Sequence, residues 1–415
     1  MRVDVIVLGA GIVGVSTALH LQMRGFDVAL LDRNQPGEGA SFGNAGLIER
    51  SSVIPAHFPR KLPLIAKYAF NRTPSVRFDP LYLIKAAPAL VQYWRLSSSR
   101  NLKFAVSAML PLIETSVEEH DALISHAGAQ DLVKPDGWIG VWRDAANFAA
   151  FSRVIHELDR FNLSYTILDA DQLSRVVPEL NVGPAGAVGG VHWRDPKSVA
   201  DPGELVKRYA ALFVRRGGLL LVGDAGSLRR SAGTWSVDAA DGSAAAGHAV
   251  VALGPQSDGF VRRFGYRLPM LMKRGYHRHY RMHGAMPSHP IVDKEKGFVL
   301  SPMTRGLRLT TGIEFAALDA PPNLKQLKEA EAAAARLLPL GEPVEEVPWL
   351  GTRPCPPDMR PIIGPAPGTE GLWFNFGHAH HGLTIGPGTG RLLAEMLAGK
   401  KTFTDPAPYG AARFS

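Results

Sequence analysis

Cysteine is almost absent from this sequence. Cys355 is the one cysteine in 415 residues, which excludes an internal disulfide framework and a multi-cysteine metal or iron–sulfur site. Long apolar runs are missing too: none approaches the roughly 18 residues of a spanning helix, and the first apolar stretch, Val5 to Leu8, is too short for a secretion signal. We therefore expect a cytoplasmic protein, with contact at most peripheral with the inner face of the cell membrane.

The sequence also lacks a single basic run, although its formal net charge is +8. Lysine and arginine occur in scattered pairs such as Arg215-Arg216, Arg229-Arg230 and Arg262-Arg263. Such scatter disfavours a nucleic-acid partner. A small anionic substrate and a bound pyrophosphate are sufficient reasons for a positive field.

The order of sequence patterns indicates two packed domains, as expected for 415 residues. Residues 3 to 32 are typical of a strand, a glycine-rich turn, an amphipathic helix and a second strand. Residues 50 to 130 show helical spacing and no strand pattern, which predicts a helical insertion preceded by a mobile loop. Residues 271–282 and 297–313 alternate like antiparallel strands, and regular helical spacing returns near the C-terminal end from Gly388 on.

These patterns predict an α/β fold, α+β overall, in which a Rossmann-like nucleotide-binding domain is interleaved with a substrate domain built on a mostly antiparallel sheet. We assign residues 1–50, part of 136–260 and 345–415 to the nucleotide-binding domain. Residues 51–135 form the helical insertion with an active-site loop, and residues 136–200 and 261–345 form the discontinuous substrate domain.

The turn from Gly9 to Gly14 carries the strongest chemical signal, because it follows a buried strand and opens a helix. Gly9 permits the turn, Gly11 lets the backbone approach a pyrophosphate, and Gly14 lets helix and strand pack closely. Ile12 and Val13 place the N–H groups of the helix N-terminus beside that anion. The turn therefore predicts a bound dinucleotide.

Two further segments refine the choice of dinucleotide. Asp32 and Arg33 end the second strand, where a carboxylate hydrogen-bonds the ribose hydroxyls and repels the 2′-phosphate of NADP. The small residues that follow allow the chain to approach an extended dinucleotide, which favours FAD over NAD. The residues of this second segment that we assign to the cofactor are Ser41, Asn44, Ala45, Gly46 and Leu47.

Seven landmarks along nearly the whole chain resemble the D-amino-acid-oxidase/glycine-oxidase superfamily, most closely its bacterial D-amino acid dehydrogenase branch. They are the Gly9 to Gly14 turn with Asp32-Arg33, Ser41 to Gly46, Val250 to Ser257, Lys273 to Tyr276, Gly306 to Glu314, Gly351 to Gly364, and Gly377 to Thr384. The resemblance implies an FAD whose ring lies between the two domains. It adds further cofactor contacts, at Gly254, Gly351, His381, Gly382, Leu383 and Thr384.

The resemblance also implies roles at the substrate. Arg353 is similar to the arginine with which the family binds the substrate carboxylate, a task that suits a planar, permanently charged guanidinium. His380 occupies the position of a second cationic contact in some relatives. The Tyr276 phenol is suited either to hydrogen-bond the substrate or to pack in the core. His57 lies in the loop at residues 51–60, where it is either part of a lid over the active site or an exposed loop histidine. Cys355 stands too close to Pro357-Asp358 to resemble the cysteine that tethers flavin in some relatives, so we expect noncovalent FAD.

A metal site is not predicted from the three neighbouring histidines, His378, His380 and His381. No carboxylate lies near them in sequence. The helix that follows directs its N-terminus, near Leu383 and Thr384, at the place where reduced flavin carries negative charge. Each histidine is equally suited to a packing role.

The sequence predicts an enzyme that oxidises D-amino acids by hydride transfer from Cα to flavin N5, with D-proline-like and D-hydroxyproline-like imino acids as variants. A glycine or sarcosine oxidase is the main alternative. A tRNA-modifying flavoenzyme and a flavin subunit that needs partner subunits are weaker ones. The electron acceptor (oxygen, a quinone or another carrier), the oligomeric state and the preferred side chain stay open, because the substrate pocket falls in residues 47–110 and 276–310.

Overall fold

The strands give the fold its framework in the computed structural model, which describes residues 1–414. In chain order they are β1 Val5–Leu8, β2 Val28–Asp32, β3 Leu47–Ile48, β4 Val76–Phe78, β5 Val133–Lys134, β6 Trp138–Trp142, β7 Tyr165–Asp169, β8 Gly189–Trp193, β9 Lys197–Val199, β10 Leu219–Val222, β11 Arg229–Ser231, β12 Thr234–Ala239, β13 Gly242–Ala246, β14 His248–Val251, β15 Leu271–Met282, β16 Ile291–Asp293, β17 Val299–Met303, β18 Gly306–Thr310, β19 Ile313–Phe315, β20 Leu340–Pro343, β21 Trp349–Cys355, β22 Ile362–Pro365 and β23 Leu372–Phe376.

The α-helices connect and cover these strands. They are α1 Ile12–Gln22, α2 Leu62–Ala69, α3 Pro80–Lys85, α4 Ala87–Leu96, α5 Ser99–Glu114, α6 Ser116–Ala127, α7 Ala145–Val154, α8 Ala170–Val176, α9 Pro202–Arg215, α10 Ser257–Val261, α11 Lys325–Ala334 and α12 Gly382–Leu397.

The nucleotide-binding domain is built on a six-stranded sheet in the order β10-β2-β1-β14-β23-β22. All its pairs are parallel except β22 with β23. Successive side chains of β1 point to opposite faces: Val5 and Val7 join a core with α1, α9 and α12, whereas Ile6 and Leu8 pack towards the small sheet β11-β12-β13. The predicted Rossmann-like domain is confirmed.

The second large sheet runs β4-β19-β15-β18-β17-β16-β6-β8-β7, with β20 and β21 also paired to β15. Its pairs are antiparallel apart from β16 with β6 and β19 with β4. This confirms the predicted, mostly antiparallel sheet. A short three-stranded sheet, β3-β9-β5, joins the segment after the second glycine-rich stretch to residues 133–134 and 197–199.

Two assignments from the sequence are corrected by the strand pairing. The insertion is not purely helical, because Val76 to Phe78 pair with β19 as a short edge strand. Three residues are too few to show a period of two. The boundary at residue 345 is also too early, since all seven residues of β21 pair with β15 of the substrate sheet. The chain returns to the nucleotide-binding sheet only at β22.

Helix α12 begins at Gly382, next to Leu383 and Thr384 where its N-terminus was expected, and six residues before the regular helical spacing at Gly388; Pro387 lies inside it. A proline at this place removes the N–H that would bond the carbonyl of Leu383. Here the buried His120 supplies the missing donor, with its Nε2 2.7 Å from that carbonyl oxygen. The helix therefore continues through the proline to its N-terminus at Gly382.

None of the helices in residues 1–414 combines the length and the apolar composition that crossing a membrane requires.

Candidate active site

A single cavity of about 1550 Å³ extends from the Gly9 to Gly14 turn to the face of the substrate sheet. Pockets for one small ligand usually measure roughly 300–1,000 Å³. The volume thus suits a dinucleotide together with a substrate. The sequence-predicted residues that line it are Gly9, Gly11, Ile12, Val13, Asp32, Arg33, Ser41, Asn44, Ala45, Leu47, His57, Gly254, Gly351, Arg353, His380, His381, Gly382, Leu383 and Thr384.

The glycine-rich turn forms the nucleotide end of the cavity. A Cβ at Gly9 would lie 2.5 Å from the Ala252 carbonyl oxygen, and one at Gly14 would lie 1.7 Å from the Gly9 carbonyl oxygen. These two glycines therefore serve strand–helix packing. Around Gly11 only the Ser41 Oγ comes within 4 Å of such a Cβ, at 3.4 Å, so this backbone is open to a ligand. Ile12 donates its N–H to the same hydroxyl (3.0 Å).

Asp32 connects the end of β2 to the turn. Its Oδ2 accepts the Ala10 N–H at 2.7 Å, and its Oδ1 accepts the Asn34 N–H at 2.9 Å. The carboxylate is only half-buried and borders the cavity. It can accept further hydrogen bonds from ribose hydroxyls, as the spacing predicts.

The second glycine-rich segment is held from the substrate sheet. Arg308, which is buried, donates from Nη1 to the carbonyls of Phe42 (2.8 Å) and Asn44 (2.6 Å). The Ser301 hydroxyl donates to the Ala45 carbonyl (2.7 Å). Sequence reasoning missed both side chains, although Arg308 lies in one of the seven landmarks. Burial lowers the pKa of Arg308 to about 10, and the side chain stays protonated at neutral pH.

The same segment contains a turn from Asn44 to Gly46. Asn44 Oδ1 accepts the Gly46 N–H at 2.8 Å. Gly46 has φ +73°, and a Cβ there would lie 2.4 Å from the Val199 carbonyl oxygen. Gly46 thus shapes the turn, and its neighbours Ala45 and Leu47 face the cavity.

Arg353 reaches the cavity by crossing the neighbouring strand β15. Its Nη1 donates to the Gly312 carbonyl at 3.1 Å. The guanidinium passes over Gly275, where a Cβ would lie 2.6 Å from Nη2. Burial lowers the pKa of Arg353, yet an arginine stays charged at neutral pH. This one hydrogen bond to protein leaves most of its five donors for an anion in the cavity.

Lys273 adds a second cation that the sequence did not single out. It is buried, and its Nζ lies 3.2 Å from the Tyr93 hydroxyl. That hydroxyl donates to the Ala56 carbonyl (2.6 Å) and ties the loop at residues 51–60 to the site. Lys273 and Gly275 both face the cavity because they alternate along β15.

Tyr276 lies on the opposite face of the same strand, so its predicted contact with the substrate is wrong. Its hydroxyl donates to Glu314 (2.9 Å) and accepts the Asn323 N–H (2.8 Å). Glu314 also pairs with Arg274 at 2.8 Å. The phenol is part of a buried polar network behind the sheet. Side chains alternate between the two faces of β15, but the sequence alone did not show which of them face the cavity.

The three histidines before α12 have different surroundings. His378 is buried and its Nε2 contacts the Thr389 hydroxyl at 2.9 Å, and burial lowers its pKa to about 3. His380 projects into the cavity, where desolvation, with His381 and Arg353 nearby, holds its pKa well below the usual range. Among residues 1–414 no group of three potential ligands is arranged to hold a metal ion.

His381 and Asn375 provide a test of whether a flavin fits. Both are buried and line the cavity, but neither ring nitrogen of His381 and not the Oδ1 of Asn375 has a hydrogen-bond partner within residues 1–414. Buried polar atoms normally have partners. A ligand with polar heteroatoms in this part of the cavity would satisfy them, next to the positive N-terminus of α12 at Gly382 to Thr384.

Glu49 and Lys294 occupy the cavity beyond Leu47, and sequence reasoning missed both. Glu49 accepts the Ser51 hydroxyl at 2.9 Å, and its N–H donates to the Thr384 hydroxyl at 3.2 Å. Burial raises the pKa of Glu49 and lowers the pKa of Lys294. They give the far end of the site a donor and an acceptor.

His57 lies at the rim of the cavity. It is exposed, and its Nδ1 is 3.2 Å from the Pro55 carbonyl oxygen. The adjacent Phe58 N–H donates to the Ser97 hydroxyl (2.8 Å), which anchors the loop to α4. His57 therefore lies beside the cavity, in the loop at residues 51–60.

Fold and cavity together suit a dinucleotide-binding protein whose cavity carries two cations, Arg353 and Lys273, at the end formed by the substrate sheet. A family model described as FAD dependent oxidoreductase (DAO) matches residues 4–396. The chain therefore belongs to the DAO family of FAD-dependent oxidoreductases, and the residues above would hold FAD.

Individual relatives agree with this family assignment. The chain is 30% identical to a D-amino-acid oxidase of Bradyrhizobium diazoefficiens, covering 99% of this chain and 98% of the relative. It is 28% identical to a D-amino acid dehydrogenase of Paramagnetospirillum magneticum, with 99% of each covered. Glycine oxidase from Geobacillus kaustophilus has a similar fold, with a TM-score of 0.71, 21% identity and 99% of each chain covered.

Proposed function

We propose that this enzyme oxidises D-amino acids at the Cα–N bond. The observation that carries the proposal is the Arg353 guanidinium, which is fixed by the Gly312 carbonyl and presents its remaining donors to the cavity. A bidentate guanidinium matches an α-carboxylate. The D configuration is supported by the names of the relatives that are 28–30% identical to this chain.

FAD, when bound, supplies the acceptor for the hydride that leaves Cα together with its electron pair. Arg353 holds the carboxylate and so fixes where Cα lies, since orientation dominates such a transfer. His380 is neutral at working pH because its pKa is strongly lowered. Such an imidazole is too weak a base to remove the ammonium proton, so the amine must lose that proton to solvent before hydride transfer. The resulting imino acid then hydrolyses in water.

We also propose that FAD is held without a covalent bond. The Cys355 thiol is buried and lies 3.4 Å from the Arg353 carbonyl oxygen, and burial raises its pKa. A protonated, buried thiol is a poor nucleophile. Acid precipitation of the holoprotein should release all flavin absorbance into the supernatant, whereas colour retained in the pellet would refute this assignment.

The test of the reaction is an anaerobic screen. Each D-amino acid, its L enantiomer, D-proline, glycine and sarcosine is added to the oxidised holoprotein, and the flavin absorbance is followed. We expect bleaching by D-amino acids and little by their enantiomers. Bleaching by glycine and sarcosine alone would replace the proposal with a glycine oxidase. Reoxidation by oxygen and by a soluble quinone then identifies the class of electron acceptor.

A further inference from the structure

The positive charge of this protein is concentrated in one segment of the chain. Residues 54–104 contain nine lysines and arginines and a single acidic residue, Asp79, which gives the segment a net charge of +8, equal to that of all 415 residues. The remainder is neutral. Acidic residues elsewhere in the chain therefore balance the scattered basic pairs. The excess positive charge lies in residues 54–104, which we call the cover of the active site.

The basic side chains of this segment are at the surface. Arg77 is the exception, since it is buried and paired with Glu329. The other eight are exposed: Arg60, Lys61, Lys67, Arg72, Lys85, Arg95, Arg100 and Lys103. Asp79 caps α3 by accepting the Leu81 N–H at 2.8 Å, and its single negative charge is already included in the net charge of +8.

Large apolar side chains are exposed among these cations. Leu62, Phe70, Leu81 and Ile84 expose between 70 and 79% of their surface, and Val91 and Trp94 expose 48 and 42%. None of the six lines the cavity. Isolated exposed apolar residues are normal, but a group of this size on three consecutive helices indicates an interaction surface.

The two sides of the cover have different roles. Leu64, Ile65 and Tyr68 of α2, Leu83 of α3 and Leu90 of α4 face the cavity. Neither the six exposed apolar side chains described above nor the eight exposed cations line the cavity, so they belong to the outward side. We call the outward side, formed by Leu62, Phe70, Leu81, Ile84, Val91, Trp94 and the eight exposed cations, the basic apolar face.

We propose that the basic apolar face binds the surface of an anionic lipid bilayer, so that the cover of the active site lies on the membrane. Short amphipathic helices that combine Leu, Phe and Trp with Lys and Arg insert in this manner at the interface. The charge argues against a second copy of the chain as the occupant, because two faces that each carry eight exposed cations would repel each other.

The test measures binding of the holoprotein to vesicles by sedimentation. Vesicles of phosphatidylcholine are compared with vesicles that also contain phosphatidylglycerol, at low and high salt. We expect binding to the anionic vesicles that weakens with salt. Lys67→Gln with Lys85→Gln should weaken binding about 25-fold, since each cation near such a surface contributes a factor of about 5.

Matched variants test whether vesicle binding depends on the basic apolar face or on the overall charge and hydrophobicity of the protein. Lys325→Gln with Lys328→Gln removes two exposed cations from α11, and its binding should stay within about 2-fold of wild type. Leu81→Ser with Ile84→Ser should also release the protein from vesicles, whereas Val154→Ser with Val214→Ser, exposed by 48 and 46%, should not. Flavin content and the melting temperature report that each variant is folded.

Three results would overturn the proposal. They are no binding of wild type to anionic vesicles, equal losses in the test and control pairs, and salt-dependent binding of tRNA through the same residues without binding to vesicles. A dimer that dissociates in the Leu81→Ser, Ile84→Ser variant and ignores vesicles would assign the face to self-association instead.

Discussion

Replacing Gly275 by alanine tests whether Arg353 binds the substrate carboxylate. The added Cβ would lie 2.6 Å from Nη2, 2.9 Å from Nη1 and 3.0 Å from Cζ of that guanidinium. Favourable contacts between such atoms begin at about 3.5 Å. The guanidinium must move by about 1 Å and lose its 3.1 Å hydrogen bond to Gly312. The strand itself should tolerate alanine, because Gly275 has no positive φ.

A displacement of about 1 Å in a positioning group costs roughly 100-fold in rate. We therefore expect kcat/KM for the best D-amino acid to fall about 100-fold, or about 2.7 kcal/mol. Anaerobic stopped-flow reduction of the flavin gives this ratio, and titration with a carboxylate that cannot be oxidised reports binding alone. FAD content should be unchanged.

Two comparisons make the result decisive. Gly259 also lines the cavity, but no atom lies within 4 Å of the Cβ that Gly259→Ala would add, so that variant should behave like wild type. Gly275→Ala combined with Arg353→Met should be no slower than Arg353→Met alone, because the first change acts through the second residue. A kcat/KM within about 2-fold of wild type for Gly275→Ala, or an equal further loss in the double variant, would refute the reasoning.

Three further predictions concern single contacts. Arg353→Lys keeps the charge but loses the bidentate fork, so KM for amino acids should rise by at least about 10-fold while FAD binding persists; unchanged KM would contradict the carboxylate role. His120→Leu leaves the Leu383 carbonyl unpaired in the core and should lower the free energy of unfolding by about 1–3 kcal/mol in urea; a loss below that range would show that another donor takes its place. Burial lowers the pKa of both His20 and His378 to about 3. As the pH falls from 6.5 towards that pKa, the unfolded chain takes up a proton at each histidine while the folded chain does not. Each histidine should therefore lower the free energy of unfolding by about 1.4 kcal/mol per pH unit in this range. Thermal melts between pH 7 and 5 should show this loss, and a flat melting temperature would contradict it.

The geometry of the glycine-rich turn was predictable because it is local in sequence. Gly9, Gly14 and Asp32 act within one strand–turn–helix unit, where each residue type follows from backbone geometry. Arg353 was identified through a resemblance. Its path across Gly275 depends on pairing between strands that are about 80 residues apart in sequence, and no local pattern reports that pairing.

Other errors have equally specific causes. Tyr276 was assigned to the substrate because the phase of alternation along a twelve-residue strand buried on both sides is not visible in its composition. The regular helical spacing of α12 was recognised only from Gly388 on, whereas the helix begins before Pro387, whose missing hydrogen bond is supplied by a histidine more than 260 residues away. The charge of residues 54–104 was visible in the sequence but was averaged over the whole chain.

The hydrogen bonds from Arg308 and Ser301 to the carbonyls of residues 42–45 join the cofactor segment to the substrate sheet. Because residues 41–47 would hold FAD, we expect flavin affinity and the order of that sheet to be thermodynamically linked: a change that loosens β17 or β18 should also weaken FAD binding, and saturation with FAD should protect both strands by mass action. The two domains should consequently unfold together in the holoprotein. Neither is expected to survive as an independent fragment, and loss of yellow colour should be the earliest sign of damage anywhere along this connection.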